Sequence, residues 1–140
     1  MANYQSCKTV SLVAGEDLRG DVYGALKING DGRVVKSTST TDIVIGVLAE
    51  EPRKDAATTG ERVAVTVIGG GGVLKMKAAL ALLAGHVVVP SSITAGRVSG
   101  MADIDDLAEN QMAVGVALEG AVAGDIFEVL AQSIAGPHSA

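Results

Sequence analysis

Two histidines, one cysteine and a few clustered carboxylates are the side chains best suited to catalysis or metal binding in this sequence. His138 sits in the closing Gly136-Pro137-His138-Ser139-Ala140 segment, where chain ends fray. His86 follows Gly85, a turn-like position. A Ser-His-Asp triad would need one of these two, and no Gly-x-Ser-x-Gly elbow accompanies them. Cys7 stands alone, so it can form neither an intrachain disulfide nor a cysteine metal cluster. With two distant histidines it makes a poor transition-metal ligand set.

The carboxylates offer more, though not enough. Asp103, Asp105, Asp106 and Glu109 have calcium-loop density but lack the glycine and the distal glutamate that an EF-hand requires. A solvated acidic turn is the simpler reading. Glu50 and Glu119 stand at the ends of similar apolar runs and could pair as the acid and base of a glycosidase. The chain has only Tyr4, Tyr23 and Phe127 as aromatics to stack a sugar, so duplication explains the two glutamates better. Gly69-Gly70-Gly71-Gly72 invites a phosphate-loop reading, but Val73-Leu74-Lys75 follows where Gly-Lys-Ser/Thr is needed. A hairpin or a connection between two units fits it better. The sequence therefore predicts no catalytic residue, no metal site and no cofactor.

The elements that position these residues read as strands. Short apolar runs, bounded by Gly, Asp, Asn or Ser, fall at Thr9–Val13, Asp21–Ile28, Arg33–Lys36, Ile43–Glu50 and Arg62–Ile68. They recur at Val73–Lys77, His86–Val89, Gly96–Ser99, Ala113–Glu119 and Ile126–Gln132. This spacing predicts an all-β barrel or sandwich. Asn29-Gly30-Asp31-Gly32 supplies a tight hairpin turn. The Ala- and Leu-rich stretch Lys75–Ala84 and the stretch Met101–Asn110 could each form one or two helical turns, so at most one or two short helices are expected.

Four blocks recur in order. Gly20-Asp21-Val22-Tyr23 resembles Gly85-His86-Val87-Val88, which aligns His86 with Asp21, and Gly32-Arg33-Val34-Val35 resembles Gly96-Arg97-Val98-Ser99. The run from Ile43 to Glu50 resembles that from Met112 to Glu119, and Gly60–Val65 resembles Gly124–Val129. The offsets are 65, 64, 69 and 64, so the chain reads as two copies of a β unit of about 65 residues. Gly46 and Gly115 fall inside matching strands, where glycine marks a bulge or a close backbone approach. A half of this size struggles to bury a core alone. The expected organisation is an arm at 1–10, one β domain at 11–135 with repeats at about 11–70 and 75–135, and a tail at 136–140.

Charge narrows the partners. The 11 basic and 16 acidic residues give a net charge of −5. Residues 1–70 carry 8 positive and 9 negative charges, residues 71–140 carry 3 and 7, so the second half is acidic. Phosphate-driven nucleic-acid binding needs basic density, and base stacking needs aromatics. No apolar run reaches the length of a membrane span. MANYQSCKTV has neither the basic cluster nor the apolar run of a secretory signal. Neither nucleic acid nor membrane is an expected partner, and synthesis in a cytoplasm is expected.

From about Leu12 to Leu130 the chain resembles the capsid decoration (cement, or head-stabilising) proteins of tailed bacteriophages. The likeness rests on Ala14-Gly15-Glu16-Asp17-Leu18 leading to Val22-Tyr23-Gly24-Ala25-Leu26-Lys27, then Gly32-Arg33-Val34-Val35. It continues through Ile45-Gly46-Val47-Leu48 with Pro52, the strand from Gly60 to Val65, and Val114-Gly115-Val116-Ala117-Leu118-Glu119 with Gly124-Asp125-Ile126. The resemblance implies a non-enzymatic homotrimer on the outer face of the virion shell, tying neighbouring major capsid proteins together. The polar N-terminal segment, with Asn3, Tyr4 and Gln5, is then an arm that orders on the capsid. A component of another β-rich oligomeric shell, or a small ligand-binding β-barrel, are the competing readings.

Overall fold

A computed structural model describes residues 7–52, 61–68, 72–102, 107 and 111–135. Ten strands follow one another: β1 (Thr9–Val13), β2 (Ala25–Ile28), β3 (Val34–Lys36), β4 (Gly46–Leu48), β5 (Arg62–Val67), β6 (Val73–Lys77), β7 (Val87–Pro90), β8 (Val98–Met101), β9 (Met112–Ala117) and β10 (Ile126–Ala135). They form two five-stranded antiparallel sheets that pack as a sandwich. No helix occurs among the described residues.

The two sheets have one topology used twice. Their strand orders are β1-β5-β4-β2-β3 and β6-β10-β9-β7-β8. Even the irregular bridges correspond: Ala14 pairs in parallel with Val34, and Ala78 with Val98. Each bridge draws the chain just beyond the first strand of a unit onto its third strand. The sheet thereby curls around its inward face.

The core repeats as well. The first unit buries Leu18, Leu26, Val34, Leu48 and Val65 in one cluster, with Leu12 packed half-buried against it. The second presents Met76, Leu82, Val88, Val98, Ala117 and Val129 at the matching places. Where Val63 stands in the first unit, the second has Phe127, fully buried. Smaller residues stand nearby, Ala117 for Leu48 and Ala131 for Val67, so total volume is roughly kept, as close-packed interiors require. The second cluster also takes in Cys7, Ala25, Val44, Val47 and Ile68 from the first unit. In β2 and β4 the side chains alternate: Leu26 and Leu48 face their own unit, Ala25 and Val47 face the other.

All ten predicted strands are present, and several are shorter than the sequence implies. β4 covers only the centre of Ile43–Glu50, and Ile43 remains 66% exposed. Lys75–Ala84 contains no helix. Leu74, Met76 and Ala78 point inward in strand alternation, and Leu82 bridges to Ala121. Pairing with neighbours overrides the helical preference of the Ala-Leu composition. For Met101–Asn110, Met101 ends β8 and Leu107 is buried, while 103–106 and 108–110 lie outside the described residues.

One block of the repeat is aligned differently in space. Tyr23 N donates to Leu48 O and Leu48 N to Gly24 O; at the same ladder positions Gly85 N donates to Ala117 O and Ala117 N to His86 O. Gly24 N reaches back to Asp21 O just as His86 N reaches back to Leu83 O. Tyr23 therefore matches Gly85, and His86 matches Gly24 rather than Asp21. Matching on Gly20-Asp21 slips the register by three residues, and β2 begins only at Ala25 because Asp21–Gly24 is spent in the turn.

Candidate functional site

Tyr23 is the one described non-glycine residue with positive φ, at 67°, and its counterpart Gly85 has φ 86°. The turn before β2 and β7 requires the left-handed region, and the first unit fills it with an aromatic. The Lys75 ammonium lies 5.9 Å from the Tyr23 ring centroid, across the junction of the units. Both line a recess of about 320 Å³ with Cys7, Val47, Leu74 and Glu128. Burial pushes the Cys7 thiol up, against a smaller opposing effect of a hydrogen bond with the Gly72 backbone. It is thus a poor nucleophile at neutral pH.

A hydrogen-bonded joint lies beside this recess. Gly96, at φ 77°, receives the Ala25 N–H on its carbonyl at 2.7 Å and donates its own N–H to Ser37 O at 2.8 Å. The β7–β8 loop of the second unit is thereby inserted between β2 and the end of β3 in the first. The Lys36 stem passes over Gly96, and its Nζ lies 3.4 Å from an Asp21 carboxylate oxygen. Lys36, Asp21, Lys77 and Arg97 line one notch of about 250 Å³.

Other groups settle local backbone. Asn29 Oδ1 accepts the N–H groups of Asp31 and Arg33, closing the predicted hairpin, with Gly32 at φ 77°. Burial pushes the Asp42 carboxyl up, but hydrogen bonds from Thr38 N, Lys27 Nζ and Ser39 N outweigh it and hold the group below its ordinary 3.8. The Arg19 guanidinium, with the Arg19 N–H, holds exposed Asp17 at about 2.

The residues first considered for chemistry are separated. His86 Nδ1 accepts the Leu83 N–H at 3.3 Å, a turn cap. Glu119 accepts the Glu128 N–H, and Glu50 lines a different groove, about 560 Å³, with Glu61 and Arg62. Among the described residues no three His, Cys, Asp or Glu side chains converge on a point. His138, Asp103, Asp105, Asp106, Glu109 and Gly69–Gly71 lie outside the described residues, as do Asn3, Tyr4 and Gln5.

Two surface features escaped the sequence reading. One is the cationic notch. The other is an apolar hollow of about 450 Å³ lined by Leu82, Leu83, Ala121 and Val122, with Leu83 66% and Val122 60% exposed. At the places of Leu80 and Leu83 the first unit has Glu16 and Asp21; the first contrast follows from the 64-residue offset, the second only from the ladder register.

The fold and its joints define a class: a tandem β protein in which one five-stranded unit is used twice and fused through Gly96 and a shared apolar cluster. The fold has a likeness among solved structures. The chain is similar to the "head fiber gp8.5 N base in bacteriophage phi29", with a TM-score of 0.62 and 16% identity over 89% of this chain and 95% of that one. The two share a fold. No family model matches the sequence, and no curated protein matches it.

Proposed function

We propose that this chain is a structural protein of a tailed-phage virion. It binds the outer surface of an icosahedral capsid as a homotrimer and stabilises contacts between major capsid proteins. The observation that carries this reading is the likeness of nearly the whole chain to the base of a phage head fiber. The decoration-protein resemblance of the sequence points the same way from independent features. A ligand that binds only the assembled shell stabilises it by mass action, and trimerisation multiplies weak contacts. No catalytic role is part of the proposal.

Asn3, Tyr4 and Gln5 are assigned to the capsid contact. Cys7 is buried and Lys8 O accepts the Val67 N–H, so an arm that leaves the body intact ends at residue 6. Removing residues 1–6 should abolish capsid binding and leave the trimer unchanged in light scattering. Undiminished binding would remove the arm from the account. An antibody against the chain should label intact particles of the encoding phage in electron microscopy. Labelling confined to disrupted heads would contradict a place on the outer surface.

A further inference from the structure

We propose that the notch at the junction of the two units binds a carboxylate carried by an acidic segment of a partner polypeptide. Three cations line it: Lys36 at the end of β3, Lys77 at the end of β6, and Arg97 from the β7–β8 loop. Asp21 is the one carboxylate in the lining, and it pairs with Lys36. Lys77 and Arg97 form no ion pair with any described residue. Residues 71–140 hold just three basic residues, Lys75, Lys77 and Arg97, against seven acidic ones, and two of those three meet here.

The surroundings favour an anion held in place over a diffuse charge. All three cations are half-buried, so their field is less screened than that of fully exposed groups. The notch is set by the two Gly96 hydrogen bonds between units, and its other lining includes Gly20, beside which a side chain has open space to approach. Arg97 offers a planar fork suited to a carboxylate, and Lys77 a point charge beside it. A volume of about 250 Å³ suits a side-chain head group. A long polyanion would instead meet the net −5 charge of the whole chain. The repeat shows that the notch is not inherited from the scaffold, since Val13 stands in the first unit where Lys77 stands in the second.

The test is a titration of the ¹⁵N-labelled full chain with acetyl-Gly-Asp-Glu-Asp-Gly-amide, followed through the Gly20, Gly24, Ala95 and Gly96 amides. Saturable shifts confined to these amides are expected, absent with the Asn-Gln-Asn analogue and weakened by salt. Lys77→Gln with Arg97→Gln should weaken binding by about fivefold or more. Lys77→Gln alone should weaken it less, which keeps the test sound if the double variant misfolds. Scattered or unsaturable shifts would overturn the proposal, as would equal binding by the double variant with its spectrum otherwise preserved. Inorganic phosphate binding as tightly as the peptide would overturn the assignment to a polypeptide carboxylate. No capsid enters this titration, so its outcome is independent of the capsid reading.

Discussion

Asp42 shows how a single carboxylate can hold a connection that has no regular structure. It takes the Thr38 N–H at 2.8 Å, the Ser39 N–H at 2.9 Å and Lys27 Nζ at 3.2 Å, and so ties the segment between β3 and β4 to β2. Hydrogen bonds to a charged group are among the stronger ones, and Asp42→Ala should cost about 1–3 kcal/mol in urea unfolding at pH 7. The folded carboxyl titrates below 3.8, so its contribution is complete above that value and is lost as the pH falls through the lower folded value. The gap between wild type and variant should therefore close on acidification from pH 5 to pH 2; a gap that widened would contradict the assignment. Tyr23 gives a second test at this scale. Its φ of 67° strains any residue with a Cβ, so Tyr23→Gly should be more stable than Tyr23→Ala by about 1 kcal/mol, although glycine is the more flexible residue.

At the scale of elements, Gly46 and Gly115 mark where strands come too close for a side chain. A Cβ on Gly46 would run into the Thr66 carbonyl and lie 2.9 Å from Val67 Cα; one on Gly115 would run into the Leu130 carbonyl. Backbone cannot give way as a side-chain tip can. Alanine at either place should destabilise by about 1–3 kcal/mol, measured by thermal unfolding. These glycines were legible in the sequence because they interrupt otherwise apolar runs. The strands were legible for a related reason: alternation such as Leu74, Met76, Ala78 against Val73, Lys75, Lys77 has a period of two whatever the helical propensity of its residues. The start of β2 was not legible. Gly20 and Gly85 match by identity, whereas the ladder matches Tyr23 to Gly85 by backbone conformation, which letters do not reveal. The notch was hidden because Lys36, Lys77 and Arg97 belong to three elements that meet only through the contact between units.

At the scale of the whole molecule, duplication explains most of the sequence. Gly32 and Gly96, both at φ 77°, mark matching turns, Gly46 and Gly115 stand at matching strand positions, and its few aromatics leave a core of aliphatic side chains with Phe127 as the exception. The copies diverge at their surfaces, where the first has Glu16 and Asp21 at the places of Leu80 and Leu83 in the second, and this divergence gives a symmetric plan distinct faces. Distinct faces are what the proposed place between capsid subunits requires. Size-exclusion chromatography with light scattering should find a soluble trimer in the absence of capsids. The central claim is tested most directly by cosedimenting the full chain with undecorated capsids of the phage proposed to encode it. The chain should pellet with them, saturate at a fixed number of copies per capsid and raise the temperature at which the capsids open. A chain that stays in the supernatant at every concentration, as a sharp pentamer with no affinity for the shell, would contradict the account.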